Sequence, residues 1–245
     1  MQPEEARTRL AALGFDTDNV ETLAEHFLWA ERKGSISHGL MRIEWLETLE
    51  GIDPLARPER TIATDGYELW ESRGAIGYLT LAAVVEAQLA NPPEHARVVV
   101  ARELFPTGAL GYWVRRLAEG GLVGALTATS PPRLSHPEGG PLLTGTNPLA
   151  LGIPSSDGVP IVVDVSMGKV TYGDVLTGAA APEELVPFGG EQAHKAFALA
   201  LGLQLLVAAL AGEGHGAVLV VARPDADPVP ALRELATGIR LPGDS

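Results

Sequence analysis

The sequence predicts an α/β fold, a mixed sheet covered by helices and preceded by an N-terminal helical unit. Three observations carry the prediction. The first fifty or so residues hold apolar runs at helical spacing, each ending at a glycine. From Leu69 onward, short β-branched runs alternate with helix-length apolar runs. Ser155-Ser156-Asp157-Gly158 is a tight turn between two short apolar runs, with Gly158 suited to a positive φ. The division predicted is 1–55 for the helical unit and 56–245 for the α/β part, continuous with it.

The elements follow in order. Pro3 with Glu4 and Glu5 opens a first helix, and Gly14 stops it. Asp16 or Asp18 caps a second, with Val20, Leu23, Ala24, Phe27, Leu28 and Ala30 on its apolar face and Gly34 at its end. Ser37 caps a third, running through Leu40, Ile43, Leu46 and Leu49 to Gly51. Leu69-Trp70 lies in a short strand, and Gly77 to Ala90 is a helix stopped before Asn91-Pro92-Pro93. Arg97 to Ala101 is a buried strand, Gly108 to Glu119 a helix, and Leu122 to Thr129 a further strand. The segment 131–148, rich in proline and glycine, is an ordered surface loop. Leu149 to Pro154 and Pro160 to Val165 form a hairpin. Glu191 to Ala211 is a long apolar helix, Ala217 to Ala222 a strand, and Pro230 to Thr237 the final helix.

Composition narrows the function classes. Of 245 residues, 46% are hydrophobic and the formal net charge is −13. That excludes a disordered chain and argues against a nucleic-acid surface. With no cysteine, disulfides, thiolate metal sites and cysteine nucleophiles are excluded. The acidic start does not read as a targeting peptide. The apolar stretch Ala196 to Ala211, broken by Gly202 and Gln204, is short for a membrane span. A cytoplasmic protein is expected. No H-E-x-x-H or carboxylate–histidine cluster suggests a metal.

Glycine-rich patterns occur by chance among 28 glycines. Gly108-Ala109-Leu110-Gly111 follows a strand and opens a helix, but the full G-x-G-x-x-G is missing and no acidic residue closes the next strand. No P-loop and no G-x-S-x-G elbow occur. The informative stretch is Ser37-His38-Gly39-Leu40-Met41-Arg42. On a helix, His38 and Arg42 lie four apart on one face. An imidazole can move a proton at a carbonyl or imine, and a guanidinium one turn away can grip a carboxylate. The same pattern also reads as a plain helix start with a capping serine and two half-exposed polar side chains. His26 and His95 read as surface residues, and His194 as a surface or interface residue.

Ser37-His38-Gly39 with Arg42 resembles the S-H-G-x-x-R signature of the malate/L-lactate dehydrogenase family, which is unrelated to the Rossmann-type lactate dehydrogenases. Gly145-Thr146-Asn147-Pro148-Leu149-Ala150 resembles its G-T-N-P-x-A block, and Ile161-Val162-Val163-Asp164 its strand ending in an aspartate. Pro187-Phe188-Gly189-Gly190 with His194-Lys195-Ala196-Phe197 resembles P-L-G-G…K-G-Y, and Leu241-Pro242-Gly243 a late L-P-G-E. The resemblance spans nearly the whole chain. It implies a homodimeric, NADPH- or NADH-dependent enzyme on a non-Rossmann mixed sheet. It also implies roles. His38, Asp164 and Ser37 would be catalytic, Arg42 would bind a substrate carboxylate, and Thr146, Asn147, Pro148, Gly189, Gly190 and Lys195 would hold the cofactor. Gly189-Gly190 ahead of a helix can present amides to a phosphate, with Lys195 adding charge. Lys195 also reads as a solvated lysine, and Asp164 as a strand-end turn residue.

The chain also departs from the family pattern. Family segments are shortened between Gly178 and Pro187, between Gly212 and Leu241, and after Gly243. Pro106 stands where the family has a substrate-site histidine, for which His136 is a candidate replacement. Asp174 stands where the family has a lysine. The expected activity is reduction of a carboxylate-bearing cyclic imine or 2-oxo acid by NAD(P)H. The alternative is a cofactor-independent acid–base enzyme or a ligand-binding pseudoenzyme on the same fold, with Met167 and Leu176 as candidates to fill the nicotinamide channel. A purely structural partner would instead bury Arg42 in an ion pair and leave no cavity.

Overall fold

The computed structural model describes residues 1–244. Among them, α1 (Pro3–Ala12), α2 (Thr17–Arg32) and α3 (Met41–Leu46) precede the sheet. The sheet strands are β1 (Glu59–Ala63), β2 (Tyr67–Glu71), β3 (Ala96–Arg102), β4 (Val123–Ala128), β5 (Leu149–Ile153), β6 (Ile161–Val165) and β7 (Gly216–Ala222). The remaining helices are α4 (Gly77–Ala90), α5 (Leu110–Glu119), α6 (Tyr172–Leu176), α7 (Ala193–Ala211) and α8 (Val229–Leu235).

The seven strands form one sheet in the order β1-β2-β3-β7-β4-β5-β6. Only β2 and β3 pair in parallel, joined by α4 as a βαβ crossover; every other pair is antiparallel. β7 inserts between β3 and β4, so the last strand in sequence is central in space. The mixed, helix-covered sheet is the architecture the sequence predicts.

α4 and α5 cover one face and α7 the other. α4 is apolar nearly all round because it is enclosed by the sheet, α2 and α5; Tyr78, Leu79, Leu81, Val84 and Val85 are all buried. One core cluster runs from Leu10, Leu23 and Phe27 through Tyr78 and Trp113 to Val99, Leu126 and Leu219. The N-terminal helices and the sheet therefore share a core. α7 buries Ala196, Phe197, Ala200, Val207 and Ala211 but leaves Leu199, Leu205, Leu206 and Leu210 exposed. With the 3-10 turn before it, Gly190–Ala211 makes 22 continuous helical residues, long and apolar enough by length and composition to cross a membrane. That is longer than Ala196 to Ala211 suggests; in this fold the helix lies on the sheet.

Local corrections have local causes. Ser37 caps no α-helix, because Ile36–His38 is a 3-10 turn and Gly39 is extended; the third helix starts only at Met41 and ends at Leu46. Asp16, not Asp18, caps α2, accepting from the Asn19 amide at 3.0 Å. β1 and α6 are additions to the predicted list. β1 is fully exposed and charged, a protected edge strand with no apolar alternation to reveal it.

A buried polar network fastens β2, β3 and α4. The Glu68 carboxylate, 1% exposed, accepts from Trp70 Nε1 at 2.9 Å and from Gln88 Nε2 at 2.8 Å. It also pairs with Arg60 at 3.0 Å and with buried Arg97 at 3.2 Å. Arg97 further donates to the carbonyls of Asp65 and Asn91. Removing one member leaves the others buried without their full set of partners. Arg97→Met is expected to destabilise the fold by about 3 kcal/mol, read as a lower urea midpoint at unchanged slope.

Candidate active site

A cavity of about 360 Å³ opens between the N-terminal helices and the β4–β6 end of the sheet. α2 contributes Trp29, with Lys33 just beyond it, the following turn contributes His38, and α3 contributes Arg42 and Trp45. Tyr78 of α4, the segment 105–110, Thr129, Ser130 and Arg133, Thr146 and Pro148, Asp164, and 171–173 complete the wall. Residues far apart in sequence thus converge on one space within the size range of small-ligand sites.

His38 ends its 3-10 turn with Nδ1 buried and without a partner. Burial, reinforced by the Arg42 charge, pushes its pKa down to about 4, against a smaller pull from Asp174. Its imidazole is therefore neutral at neutral pH. Arg42 has a buried Nε without a partner and lies over the Trp45 ring, 5.1 Å from its centre. No carboxylate lies within ion-pairing distance of Lys33, Arg42 or Arg133 among the described residues. An ion-paired Arg42 and no cavity, expected for a purely structural partner, are thus not what the described residues show.

Asp164 reaches across from β6. Its Oδ2 accepts from the Gly111 amide at 2.7 Å, at the N-terminus of α5. A β-carbon at position 111 would sit 3.0 Å from that oxygen, so any larger residue there would push the carboxylate back by a few tenths of an ångström. Asp164 is exposed where it lines the cavity, while the surrounding protein removes part of its hydration. This desolvation pushes its pKa up to about 6, with the Gly111 hydrogen bond opposing.

Other predicted residues fall elsewhere. Ser37 is buried behind the cavity wall, its Oγ 3.2 Å from Thr171 Oγ1, whose own proton goes to Asp174 Oδ2 at 2.8 Å. Thr146 and Pro148 line the cavity. Asn147 is fully buried. It donates to Thr144 Oγ1 at 2.6 Å, the Ala200 carbonyl at 3.0 Å and Gln204 Oε1 at 2.9 Å, tying this loop to α7. Gly189 and Gly190 precede α7 outside the cavity wall, and Lys195 is exposed on that helix. His136 packs edge-on against Phe197 and does not line the cavity. Met167 is buried with Leu134 and Ala200, and Leu176 is exposed, so neither fills the cavity. Asp174 belongs to the Thr171 capping box of α6.

His26 corrects the expectation of a surface residue. It is fully buried, stacked on Trp113 with ring centres 5.0 Å apart, and its Nε2 accepts from the Ala109 amide at 3.1 Å. Its position at helical spacing from Leu23, Phe27 and Ala30 is the signal that it faces inward. Burial holds it neutral, its pKa well below the usual histidine range. Sequence reasoning also missed Tyr78 and Ser130, whose hydroxyls are buried at the cavity without partners. No group of three His, Asp or Glu side chains among the described residues is placed to hold a metal.

The family model for malate/L-lactate dehydrogenase matches residues 4–185. The Δ1-pyrroline-2-carboxylate/Δ1-piperideine-2-carboxylate reductase of Pseudomonas putida is 31% identical over 224 residues, an alignment covering 79% of this chain and 64% of that protein. The 2,3-diketo-L-gulonate reductase of Citrobacter koseri is 30% identical over 200 residues, covering 77% and 58%. The chain thus spans less than two thirds of the length of these relatives. Among solved structures, Δ1-piperideine-2-carboxylate reductase from Pseudomonas syringae superposes with a TM-score of 0.85 at 24% identity, over 99% of this chain and 89% of that one. Malate dehydrogenase from Entamoeba histolytica does so with 0.85 at 18%, over 99% and 85%. These likenesses establish the non-Rossmann fold.

The two shifted groups act oppositely on stability. His38 binds fewer protons folded than unfolded between about pH 4 and its ordinary value, so its contribution to stability grows as pH rises. Asp164 binds more protons folded than unfolded up to about pH 6, so its contribution is lost as pH rises through that value. Asp164→Asn is expected to steepen the gain in stability from pH 4 to 6. Urea midpoints measured across this range in both proteins check it; parallel curves would reject the assignment.

Proposed function

The chain belongs to the malate/L-lactate dehydrogenase family, and from that premise we propose that it is an NAD(P)H-dependent reductase of a small carboxylate-bearing cyclic imine or 2-oxo acid. The observation that carries the reading is the unpaired guanidinium of Arg42, four residues after a neutral His38, in one cavity with Asp164. The names of the relatives, reductases of an imine carboxylate and of a diketo acid, support the substrate class.

Arg42 binds the substrate carboxylate. Its stacking on Trp45 limits how far the guanidinium can swing. His38, neutral at neutral pH, hydrogen-bonds the carbonyl oxygen or imine nitrogen and withdraws charge from the carbon beside it. The oxygen or nitrogen needs one proton as the carbon beside it is reduced; Asp164, in the same cavity and protonated up to about pH 6, is the group suited to supply it. The residues present fit a nicotinamide ring. Ser130 offers a buried hydroxyl without a partner, Thr146 a second polar group, and Phe105, Pro106 and Pro148 an apolar wall. When bound, the dihydronicotinamide supplies the hydride. Gly189, Gly190 and Lys195 lie outside the cavity, where only the distant part of a nucleotide would reach them. The partner proposed is a second copy of the chain, through the exposed leucines of α7. A cytoplasmic location and the absence of nucleic-acid and membrane partners complete the reading.

Titration with NADPH and NADH, followed by nucleotide fluorescence, is expected to give micromolar binding of at least one. No binding of either up to millimolar concentration would turn the reading toward cofactor-free chemistry. With turnover in hand, His38→Ala is expected to lower kcat by about 100-fold or more with an unchanged circular dichroism spectrum. The reduction rate is expected to fall as pH rises past about 6, and Asp164→Asn to abolish that limb.

A further inference from the structure

We propose that Tyr78 is a further catalytic residue, its hydroxyl donating a hydrogen bond to the carbonyl oxygen or imine nitrogen of the bound substrate together with His38. This rests on the reductase reading of the same cavity and deepens it by naming a second donor for the atom that takes up charge.

Tyr78 stands in the first turn of α4 and is 1% exposed. Its ring packs edge-on against His26 and Phe27, with ring centres 5.0 and 5.2 Å apart. The hydroxyl end of the ring reaches the cavity wall. A β-carbon added at Gly108 would stand 2.3 Å from Cε1, the ring carbon next to the one that bears the hydroxyl. Gly108, with φ at +70°, belongs to the cavity-lining segment 105–110, and Tyr78 lines the same cavity. The preceding residue closes on that segment too. A β-carbon added at Gly77 would stand 2.5 Å from the Pro106 carbonyl oxygen. The start of α4 is thus pressed against the wall, and the ring is held between His26, Phe27 and Gly108.

The hydroxyl is buried and has no hydrogen-bond partner. Polar atoms around the ring are committed elsewhere: His26 Nε2 accepts from the Ala109 amide, and Trp113 Nε1 donates to the Thr107 carbonyl at 2.9 Å. A phenylalanine would fill the same slot and leave no polar atom unpaired, so packing does not account for the oxygen. The charge that acts on the phenol is that of Arg42, which opposes the upward push of burial on its pKa. The hydroxyl is therefore within electrostatic reach of the guanidinium that holds the substrate carboxylate. In a 2-oxo acid the reducible carbonyl is the next carbon along. As hydride reaches that carbon, the C=O bonding pair moves onto the oxygen, and a fixed donor there stabilises the charge. Burial keeps the phenol protonated, so it donates without giving up its proton, and the one proton consumed comes from Asp164. A hydrogen bond to the nucleotide would engage the same oxygen, so the test separates the two.

Tyr78→Phe removes the oxygen and keeps the ring. The experiment measures its kcat on whichever of 2-oxopentanoate and Δ1-piperideine-2-carboxylate the wild type reduces, together with the urea midpoints of both proteins. The variant's kcat is expected to fall about 100-fold, with the KM for the nucleotide unchanged. The fall in rate past about pH 6 is expected to stay in place, because it belongs to Asp164. The urea midpoint is expected to hold or rise, because an unpaired buried oxygen is lost. An unchanged kcat would overturn the proposal while leaving the reductase reading intact. A raised KM for the nucleotide at unchanged kcat would assign the hydroxyl to the cofactor, and a lowered urea midpoint alongside the lower kcat would make it a structural group; either result overturns the proposal. Calorimetric titration of the nucleotide-free protein with 2-oxopentanoate and pentanoate does not depend on turnover. Tighter binding of the 2-oxo acid that is lost in Tyr78→Phe supports the proposal even if reduction fails. A preference that survives the substitution, or equal affinities in the wild type, reject it.

Discussion

The Asp164 carboxylate on the N-terminus of α5 is the contact on which the site depends. A strand-to-helix turn rich in glycine ordinarily leaves its helix N-terminus open to a phosphate. Here the Gly111 amide is already bonded, by a side chain from the far edge of the sheet. The helix can be reached because it lies very close to the strands. At Gly152 of β5, an added β-carbon would stand 2.2 Å from the Val114 carbonyl oxygen. α5 is thus pressed onto the β4–β6 end, and its N-terminus becomes a wall of the cavity. The Gly108–Gly111 turn could not serve as a dinucleotide cradle without giving up this contact, and the largely antiparallel strand order differs from the parallel sheet on which such cradles are built.

The same helix start also joins the two parts of the chain. His26 of α2 accepts from the Ala109 amide, two residues before Gly111. One end of α5 therefore has an amide bonded to the N-terminal helices and another bonded to β6. His38 and Arg42 belong to the first set of elements, Asp164 to the second. Their mutual placement follows from two hydrogen bonds and the aromatic cluster of His26, Phe27, Tyr78, Tyr112 and Trp113. The helices before the sheet and the sheet itself share one continuous core.

This arrangement explains what was legible in the sequence. Long elements with strong periodicity, such as Gly77–Ala90 and the Leu149–Val165 hairpin, fall where their patterns place them. The S-H-G-x-x-R stretch yields His38 and Arg42 because both lie within one local segment. Arg133, Tyr78 and Ser130 were silent because their places at the cavity depend on residues far away in sequence. Tyr78 sits in a helix apolar on all sides, where nothing marks a polar atom facing a cavity. His26 reads as a surface residue by its type, but its helical position, three after Leu23 and four before Ala30, turns it inward. Asn147, legible as part of a motif, is engaged in holding the loop to α7. A motif's members do not all line the cavity.

Charge distribution bears on how such a site recognises its ligand. The chain is strongly acidic, with a formal net charge of −13, yet the cavity is lined by Lys33, Arg42 and Arg133 against the single acid Asp164. An anion approaching from solution meets a net repulsive field, screened beyond about 10 Å at ordinary salt. Attraction begins only at the cavity, where half-buried charges are screened less. Steering therefore contributes little, and selectivity rests on the contacts made inside. The elevated pKa of Asp164 fits this economy of charge. Kept partly protonated near pH 6, it lines the cavity without fully opposing an anionic ligand. The desolvation that raises the Asp164 pKa also lessens the negative charge an anion would meet beside it.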